Sequence, residues 1–256
     1  MTNFVLGRVS VIVPAKNSEI SIYRCLASLK HQTYHDIEII FVNNNSTDNT
    51  KEIASQVLAT STFNVIILDE YEQGVSFARN KGLSYASGQF ICFLDSDDAL
   101  YPESIERRVI FLQKESIGLC FGNYDIIYTN GIMKTRKLPK TVTKFNKFYS
   151  NWIPNLCGMY DRSKINIVYQ DNIGHEDYLM WLKLLESTEI ALNIGGAPLS
   201  QYYKSKYSLS ANKIKSAIWH YNILKLQDFG LAWRIIFFCG YISLQIKRII
   251  YQYFST

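Results

Sequence analysis

Phe90-Ile91-Cys92-Phe93-Leu94 runs directly into Asp95-Ser96-Asp97-Asp98. Five apolar residues followed by an acidic cluster read as a buried strand that ends in a carboxylate turn. The same step from apolar to polar recurs three times upstream. Residues 9–13 form a short apolar run closed by Pro14 and followed by Ala15-Lys16-Asn17. Residues 37–42 run into Asn43-Asn44-Asn45-Ser46-Thr47-Asp48, and residues 65–68 into polar chain up to Gln73-Gly74. Between these strands the period changes. Ile22, Leu26 and Leu29 recur at helical spacing over 18–29, Asp48 is the expected cap of a helix through 57, and 75–85 reads as a third helix. This rhythm predicts an α/β fold, a mostly parallel sheet flanked by helices. Ligands of such sheets bind at the carboxyl ends of the strands, so four polar loops in order point to one shared site.

Downstream, a helix is expected from Pro102 to 114, then strands near 117–121 and 125–129, with Asn130-Gly131 as a hairpin turn. Residues 134–149 are basic and weakly periodic, and read as a flexible loop. A helix over 175–185 opens on His175-Glu176-Asp177, strand-like pieces follow at 190–194 and 199–203, and two helices close the chain at 211–226 and 231–254.

The chain has 256 residues, is 48% hydrophobic and 19% charged, and carries a formal charge of +5. Length and hydrophobicity suit a large folded domain and exclude intrinsic disorder. Cys25, Cys92, Cys120, Cys157 and Cys239 are widely spaced without a CxxC pair, which predicts reduced, mostly buried thiols and neither a disulfide framework nor a zinc site. The N-terminus meets charge and proline too soon for a signal peptide, and no apolar run reaches the roughly 18 residues of a membrane span. A cytoplasmic location is the expectation.

Three constellations carry chemistry. Asp95 and Asp97, at i and i+2 on extended chain, point the same way and can meet one cation; oxygen-only ligands suit Mg²⁺ or Mn²⁺ and leave positions for substrate phosphates. Gly74 opens the third helix, where backbone amides favour phosphate, and Arg79 on that helix is a candidate diphosphate partner. Neither GxGxxG nor GxxxxGK[ST] occurs there, so the dinucleotide and phosphate-loop readings lose their motif. Glu176 and Asp177 either complement a helix dipole or supply a general base.

Five ordered words resemble glycosyltransferase family 2, the inverting sugar-nucleotide transferases of the GT-A fold. They are VSVIVPAKNSE at 9–19, SLKHQTYHDIEIIFVNNNSTDNT at 28–50, GVSFARNKGL at 74–83, FLDSDD at 93–98 and EDYLMWLKLL at 176–185. The resemblance spans about 7–210 and is strongest to bacterial enzymes that build O-antigen and related surface polysaccharides on a lipid carrier. It implies that Pro14, Ala15, Asn17, Asn43, Asn44 and Asp48 hold the base and ribose, with Glu19 nearby and Gly74, Arg79 and Ser96 around the nucleotide. Asp95 and Asp97 would be the DxD pair, Asp97 the direct Mn²⁺ or Mg²⁺ ligand and Asp95 nearer the ribose, with Asp98 toward the sugar. Asp177 would be the catalytic base, supported by Glu176.

The chain departs from the family pattern in three places. Asn43 and Asn44 stand where acids are usual, no histidine occurs in Tyr203-Lys204-Ser205-Lys206-Tyr207-Ser208, and the QxxRW word of processive synthases is absent after Trp181. Lys204 or Lys206 then becomes the candidate diphosphate contact, and single-sugar addition the expected mode.

Residues 201–256 hold eight Lys or Arg and one acid, a net +7 that leaves −2 over 1–200. Arg234, Gln245, Arg248 and Gln252 fall on one arc of an otherwise apolar last helix. Such a helix suits an anionic membrane surface, with cations on the headgroups, or else packs on the catalytic domain or a homodimer partner. The division expected is a catalytic domain over 1–210 and a basic helical extension over 211–256. The reading is a metal-dependent transferase that moves a sugar from a nucleotide-diphospho-sugar, UDP being expected, to a polyprenyl-diphosphate-linked acceptor, peripheral on the cytoplasmic membrane. A sugar nucleotidyltransferase would share the sheet and metal but lacks its Gly-rich N-terminal loop here, and a non-catalytic membrane-associated protein would not need the acids. The acidic catalytic half argues against nucleic acid.

Overall fold

Alternation along the first strand sets the architecture. In β1 (Val5–Ala15), Val9, Val11 and Val13 enter one core cluster while Ile12 enters another. β2 (Ile37–Asn43) divides likewise, Ile39 and Phe41 to one side and Ile40 and Val42 to the other. A sheet apolar on both faces must be covered on both. The structure is a computed structural model that describes residues 4–204 and 212–254.

On the first face lie α1 (Ile22–Lys30), α2 (Thr50–Leu58) and α4 (Ser104–Glu115), which contribute Leu26, Ala54 and Val109 to the core. On the second lie α3 (Val75–Tyr85) and α5 (Glu176–Thr188), with Ala78, Trp181 and Leu184 buried. The remaining strands of the main sheet are β3 (Asn64–Asp69), β4 (Gly88–Phe93), β6 (Leu119–Phe121), β9 (Thr141–Thr143), β10 (Met159–Asp161) and β11 (Ile190–Asn193). The eight run in the order β3-β2-β1-β4-β10-β6-β11-β9. The first four are mutually parallel, β10 is antiparallel to both its neighbours, and β9 pairs antiparallel with β11. A second sheet joins β5 (Ala99–Leu100), β12 (Ser200–Tyr203), β7 (Tyr124–Ile127) and β8 (Met133–Arg136) in that order. The Asn130-Gly131 turn closes the β7–β8 hairpin, with the Tyr128 N–H on the Ile132 carbonyl (2.8 Å).

The expected flexible loop at 134–149 is instead structured. It carries β8, β9 and a short 3₁₀ turn at Lys147–Tyr149. Lys147 is buried there, its ammonium within 3.4 Å of the Leu182 carbonyl oxygen, and burial lowers its pKa. Short edge strands paired on one side leave no run of apolar residues to betray them. Asp48 also acts one position early. Asn49 occupies the cap position of α2 without a side-chain bond, while Asp48 Oδ1 accepts the Thr50 N–H (3.1 Å). Four of the five thiols are buried and all are free, with Cys239 exposed.

α6 (Lys213–Leu226) and α7 (Leu231–Phe254) roof the outer side of α5. Phe148, Tyr178, Leu179, Leu182, Ile223 and Phe237 form a third apolar cluster there. His220 stacks between Tyr178 and Tyr241 (5.3 and 3.9 Å) and donates to the Phe148 carbonyl, while burial pulls its pKa to about 3. The polar arc of α7 points inward: Arg234, Gln245 and Arg248 are half-buried beside Phe237 and Tyr241, whereas Ile235, Ile236, Ile246, Ile249 and Ile250 are exposed. The cations expected to meet headgroups therefore line the protein side, because Arg248 stacks over the Trp152 ring (5.3 Å). Among the described residues no helix is long and apolar enough to cross a membrane.

Candidate active site

β2 and β3 lie on one side of β1, and β4 on the other. The winding therefore reverses between β1 and β4, which opens a crevice at their carboxyl ends. The Leu94 N–H reaches the Ile12 carbonyl (3.0 Å), and the hydroxyls of Ser18 and Ser96 meet at 2.7 Å just beyond. Pro14 and Ala15 end β1 on one wall and the Asp95–Asp98 turn forms the other.

The wall toward β2 and β3 is a hydrogen-bonded lattice. Asn17, at φ 48°, accepts the Thr47 N–H through Oδ1 (2.8 Å). Glu19 Oε2 accepts from the Asn49 N–H (3.2 Å), and the Glu19 N–H donates to Asp48 Oδ2 (3.1 Å). Hydrogen bonds from Thr50 and Glu19 outweigh burial and hold the Asp48 pKa low. Asn44 donates to the Glu70 and Glu72 carbonyls and accepts the Gly74 N–H (3.0 Å), clamping the entry to α3. Gly74 needs to be glycine: its φ is 144°, and a Cβ would sit 3.1 Å from the Phe77 ring. Asn43 Nδ2 donates to Asp69 Oδ1 (2.9 Å). Asp69, at the end of β3, thus sets a carboxylate beside Asn43, and hydrogen bonds from Lys51 and Asn43 lower its pKa.

In the acidic turn the Asp98 N–H bonds the Asp95 carbonyl (3.0 Å). Asp98, only 2% exposed, accepts the Tyr203 N–H (3.2 Å), and burial followed by the Asp97 and Asp95 charges pushes its pKa well up. Asp97 is the solvent-facing member, and desolvation followed by the Asp95 charge raises its pKa. Arg24 supports the turn from α1, donating to the Asp97 carbonyl (2.7 Å) and stacking over Tyr203 (3.5 Å).

Arg79 joins this turn to α5. Its guanidinium, 4% exposed, donates to Asp95 (2.6 Å), Glu176 (2.9 Å) and Gln170 (3.1 Å). Burial opposes its charge, but Asp95 and Glu176 prevail and raise its pKa. Burial also raises the Glu176 pKa, with Arg79 pulling back against it. Asp177 stands apart from this ion pair. Its Oδ2 accepts from Asn151 (2.8 Å) and its Oδ1 from the Tyr178 N–H (2.8 Å), and among the described residues no cation pairs with it. The loop before α5 is lashed to α3 through reciprocal Asn80–Gln170 bonds (2.8 and 2.7 Å) and Ser76–Asn172 (3.2 Å).

Geometry therefore brings the residues from all five words to one crevice. Lys206 lies outside the described residues. Asp69, Asn80, Asn151, Gln170 and Arg24 were not singled out by sequence. Asp69 had a signal, an acid at a strand's carboxyl end; the others are amides and a surface-type cation that only the folded chain aligns. The donor set fits a hard divalent cation: three carboxylates share one turn, and burial together with their mutual negative charge raises the pKa of two of them. Among the described residues no three His, Cys, Asp or Glu side chains form a complete metal cage, so substrate oxygens would have to complete the shell.

The sequence pattern of Glycosyl transferase family 2 matches residues 10–176. The chain belongs to glycosyltransferase family 2. A relative from Escherichia coli, UDP-Glc:alpha-D-GlcNAc-diphosphoundecaprenol beta-1,3-glucosyltransferase WfgD, is 34% identical over 96% of both chains. The GT-A fold is matched by S. aureus TarS 1-349 in complex with UDP-GlcNAc, at TM-score 0.69 and 21% identity over 92% of this chain and 71% of that one. The mannosyltransferase PcManGT from Pyrobaculum calidifontis, in complex with GDP-Man and Mn2+, matches at TM-score 0.65 and 17% identity, covering 94% and 75%. This family 2 member is accordingly a glycosyltransferase, and the crevice between β1 and β4 is its candidate active site. Neither the nucleotidyltransferase nor the non-catalytic reading finds support among these relatives.

Proposed function

We propose that this glycosyltransferase moves one sugar from a UDP-sugar to a hydroxyl of a GlcNAc carried on a polyprenyl diphosphate, with inversion at the anomeric carbon. The observation that carries the reading is the division of labour around Arg79. It forms ion pairs with Asp95 and Glu176, while among the described residues no cation pairs with Asp177 beside them. The WfgD relative, whose name gives a UDP-Glc donor and a diphosphoundecaprenol acceptor, supports the substrate class.

Asn43, Asn44 and Asp69 would read the base, and Asn17, Glu19 and Asp48 would keep the ribose wall rigid. Asp97 and Asp95 would hold Mn²⁺ or Mg²⁺. A bound divalent ion offsets charge on the departing diphosphate. Asp177 takes the proton of the acceptor hydroxyl as its oxygen attacks from the face opposite the nucleotide, giving a β product from an α-linked donor. Asn151 fixes the carboxylate for that proton. Residues 1–210 would form the catalytic unit. The extension 211–256 would bring it to the cytoplasmic face of the membrane through the exposed Ile235, Ile236, Ile246, Ile249 and Ile250 of α7.

Full-length enzyme offered UDP-glucose, UDP-GlcNAc and UDP-galactose with a synthetic lipid-diphosphate GlcNAc acceptor tests this. UDP release that requires acceptor and Mn²⁺ or Mg²⁺, with a β-linked product by NMR, is expected. Pyrophosphate release, or no turnover with any donor, would overturn it.

A further inference from the structure

α1 lies along the acidic turn and holds its backbone. Arg24, Cys25 and Ser28 share one face of that helix. Arg24 Nη2 donates to the Asp97 carbonyl (2.7 Å), the Cys25 thiol to the Asp95 carbonyl (3.5 Å), and the Ser28 hydroxyl accepts the Leu100 N–H (3.1 Å). Arg24 thus brings a positive charge to a turn of three carboxylates, yet among the described residues it forms an ion pair with none of them. Its Nε–H is buried and has no hydrogen-bond partner among them either. A guanidinium placed by hydrogen bonding alone would turn its fork onto a carboxylate, the strongest acceptor nearby. Another force holds it aside.

That force is the ring of Tyr203, whose centroid lies 3.5 Å from the guanidinium carbon. Tyr203 is fixed at both ends. Its backbone N–H donates to Asp98 Oδ1 (3.2 Å), and its hydroxyl donates to Gln201 Oε1 (3.0 Å). Gln201 Nε2 in turn donates to the Tyr101 hydroxyl (3.2 Å), which donates to the buried Asp125 (2.6 Å). The second sheet therefore sets the plane on which Arg24 rests.

We propose that Tyr203 is a positioning residue: it holds the Arg24 guanidinium on its ring and off the carboxylates of Asp95, Asp97 and Asp98, which leaves those oxygens to a divalent cation. An arginine that swung onto Asp97 would compete with the cation for the same oxygens. Directed to the Asp97 carbonyl instead, it steadies the backbone of the turn and leaves the side chain free. The proposal rests on the reading of this turn as the metal site.

Mn²⁺ binding to the full-length protein in the presence of UDP, read from the electron paramagnetic resonance signal of the free ion, tests this without turnover. Tyr203→Leu keeps the backbone donor to Asp98 and removes the ring. It should weaken Mn²⁺ binding about three- to tenfold, within the range one cation–π contact supplies. Tyr203→Phe keeps the ring and should stay within about twofold of wild type. Tyr203→Leu combined with Arg24→Gln should return to within about twofold of wild type, because the competing cation is gone. Arg24→Lys keeps the charge but has no plane to stack, so it should weaken Mn²⁺ as Tyr203→Leu does, and it carries the test if the Leu variant does not fold. A double variant that binds as weakly as Tyr203→Leu alone would overturn the proposal, since the ring would then only shape the turn. Unchanged affinity in Tyr203→Leu and Arg24→Lys would overturn it too. Absence of Mn²⁺ binding to the wild type with UDP would instead refute the metal reading of the turn, and the proposal with it.

Discussion

Glu176 and Asp177 show how neighbouring residues of one motif separate into different surroundings. Glu176 and Asp177 are adjacent in sequence, yet Arg79 takes one and Asn151 the other. The motif words were legible because each places a polar group at a strand end or helix start. The partners Asn151 and Gln170 were not, since an amide in a loop carries no pattern. Asp98 gives a prediction with a definite sign. Its folded pKa is raised, so the folded state binds the proton more readily than the unfolded chain. Stability of the metal-free protein should therefore rise as pH falls through that pKa, down to the ordinary carboxylate range of the unfolded chain. Asp98→Asn keeps an acceptor for the Tyr203 N–H and removes the buried charge. It should raise Tm at pH 7.5 by roughly 2–4 °C, about 1 kcal/mol for a chain of this size, and flatten the pH dependence. Scanning calorimetry between pH 5.5 and 8 checks it; a lower Tm with an unchanged pH slope would count against the buried charge.

Elements were read best where the period was long and the burial two-sided. The helix expected at 75–85 is α3, and the last helix keeps its expected bounds of 231–254. β8 and β9 were missed because edge strands of three or four residues bury little side chain. The orientation of α7 was also outside the reach of pattern alone: an arc of Arg and Gln looks solvent-facing until the Trp152 ring is found beneath Arg248. Docking of α6 offers a sharp test. A Cβ on Gly174 would lie 2.2 Å from the Trp219 ring, so the indole must move. Gly174→Ala should destabilise by about 1–3 kcal/mol and lower turnover with it, because the displaced loop carries Glu176 and Asp177. Retention of wild-type Tm and rate would mean that α6 is not packed against the site in solution.

At the scale of the molecule, charge and hydrophobicity are partitioned. The acids converge at the β1–β4 crevice, and the isoleucines of α7 face outward. The +5 of the whole chain thus describes no surface in particular. Replacing Ile236 and Ile250 by Glu should abolish co-sedimentation with anionic vesicles while Tm holds, since both side chains are exposed; co-sedimentation unchanged from wild type would remove α7 as the membrane contact. The central claim is that Asp177 is the base of an inverting transfer, and the most direct measurement is the kcat of Asp177→Asn with UDP-sugar and lipid-diphosphate acceptor. A fall of about 10²–10⁴-fold, with the Tm shift on UDP binding intact, is the predicted result. Turnover near that of the wild type would contradict it.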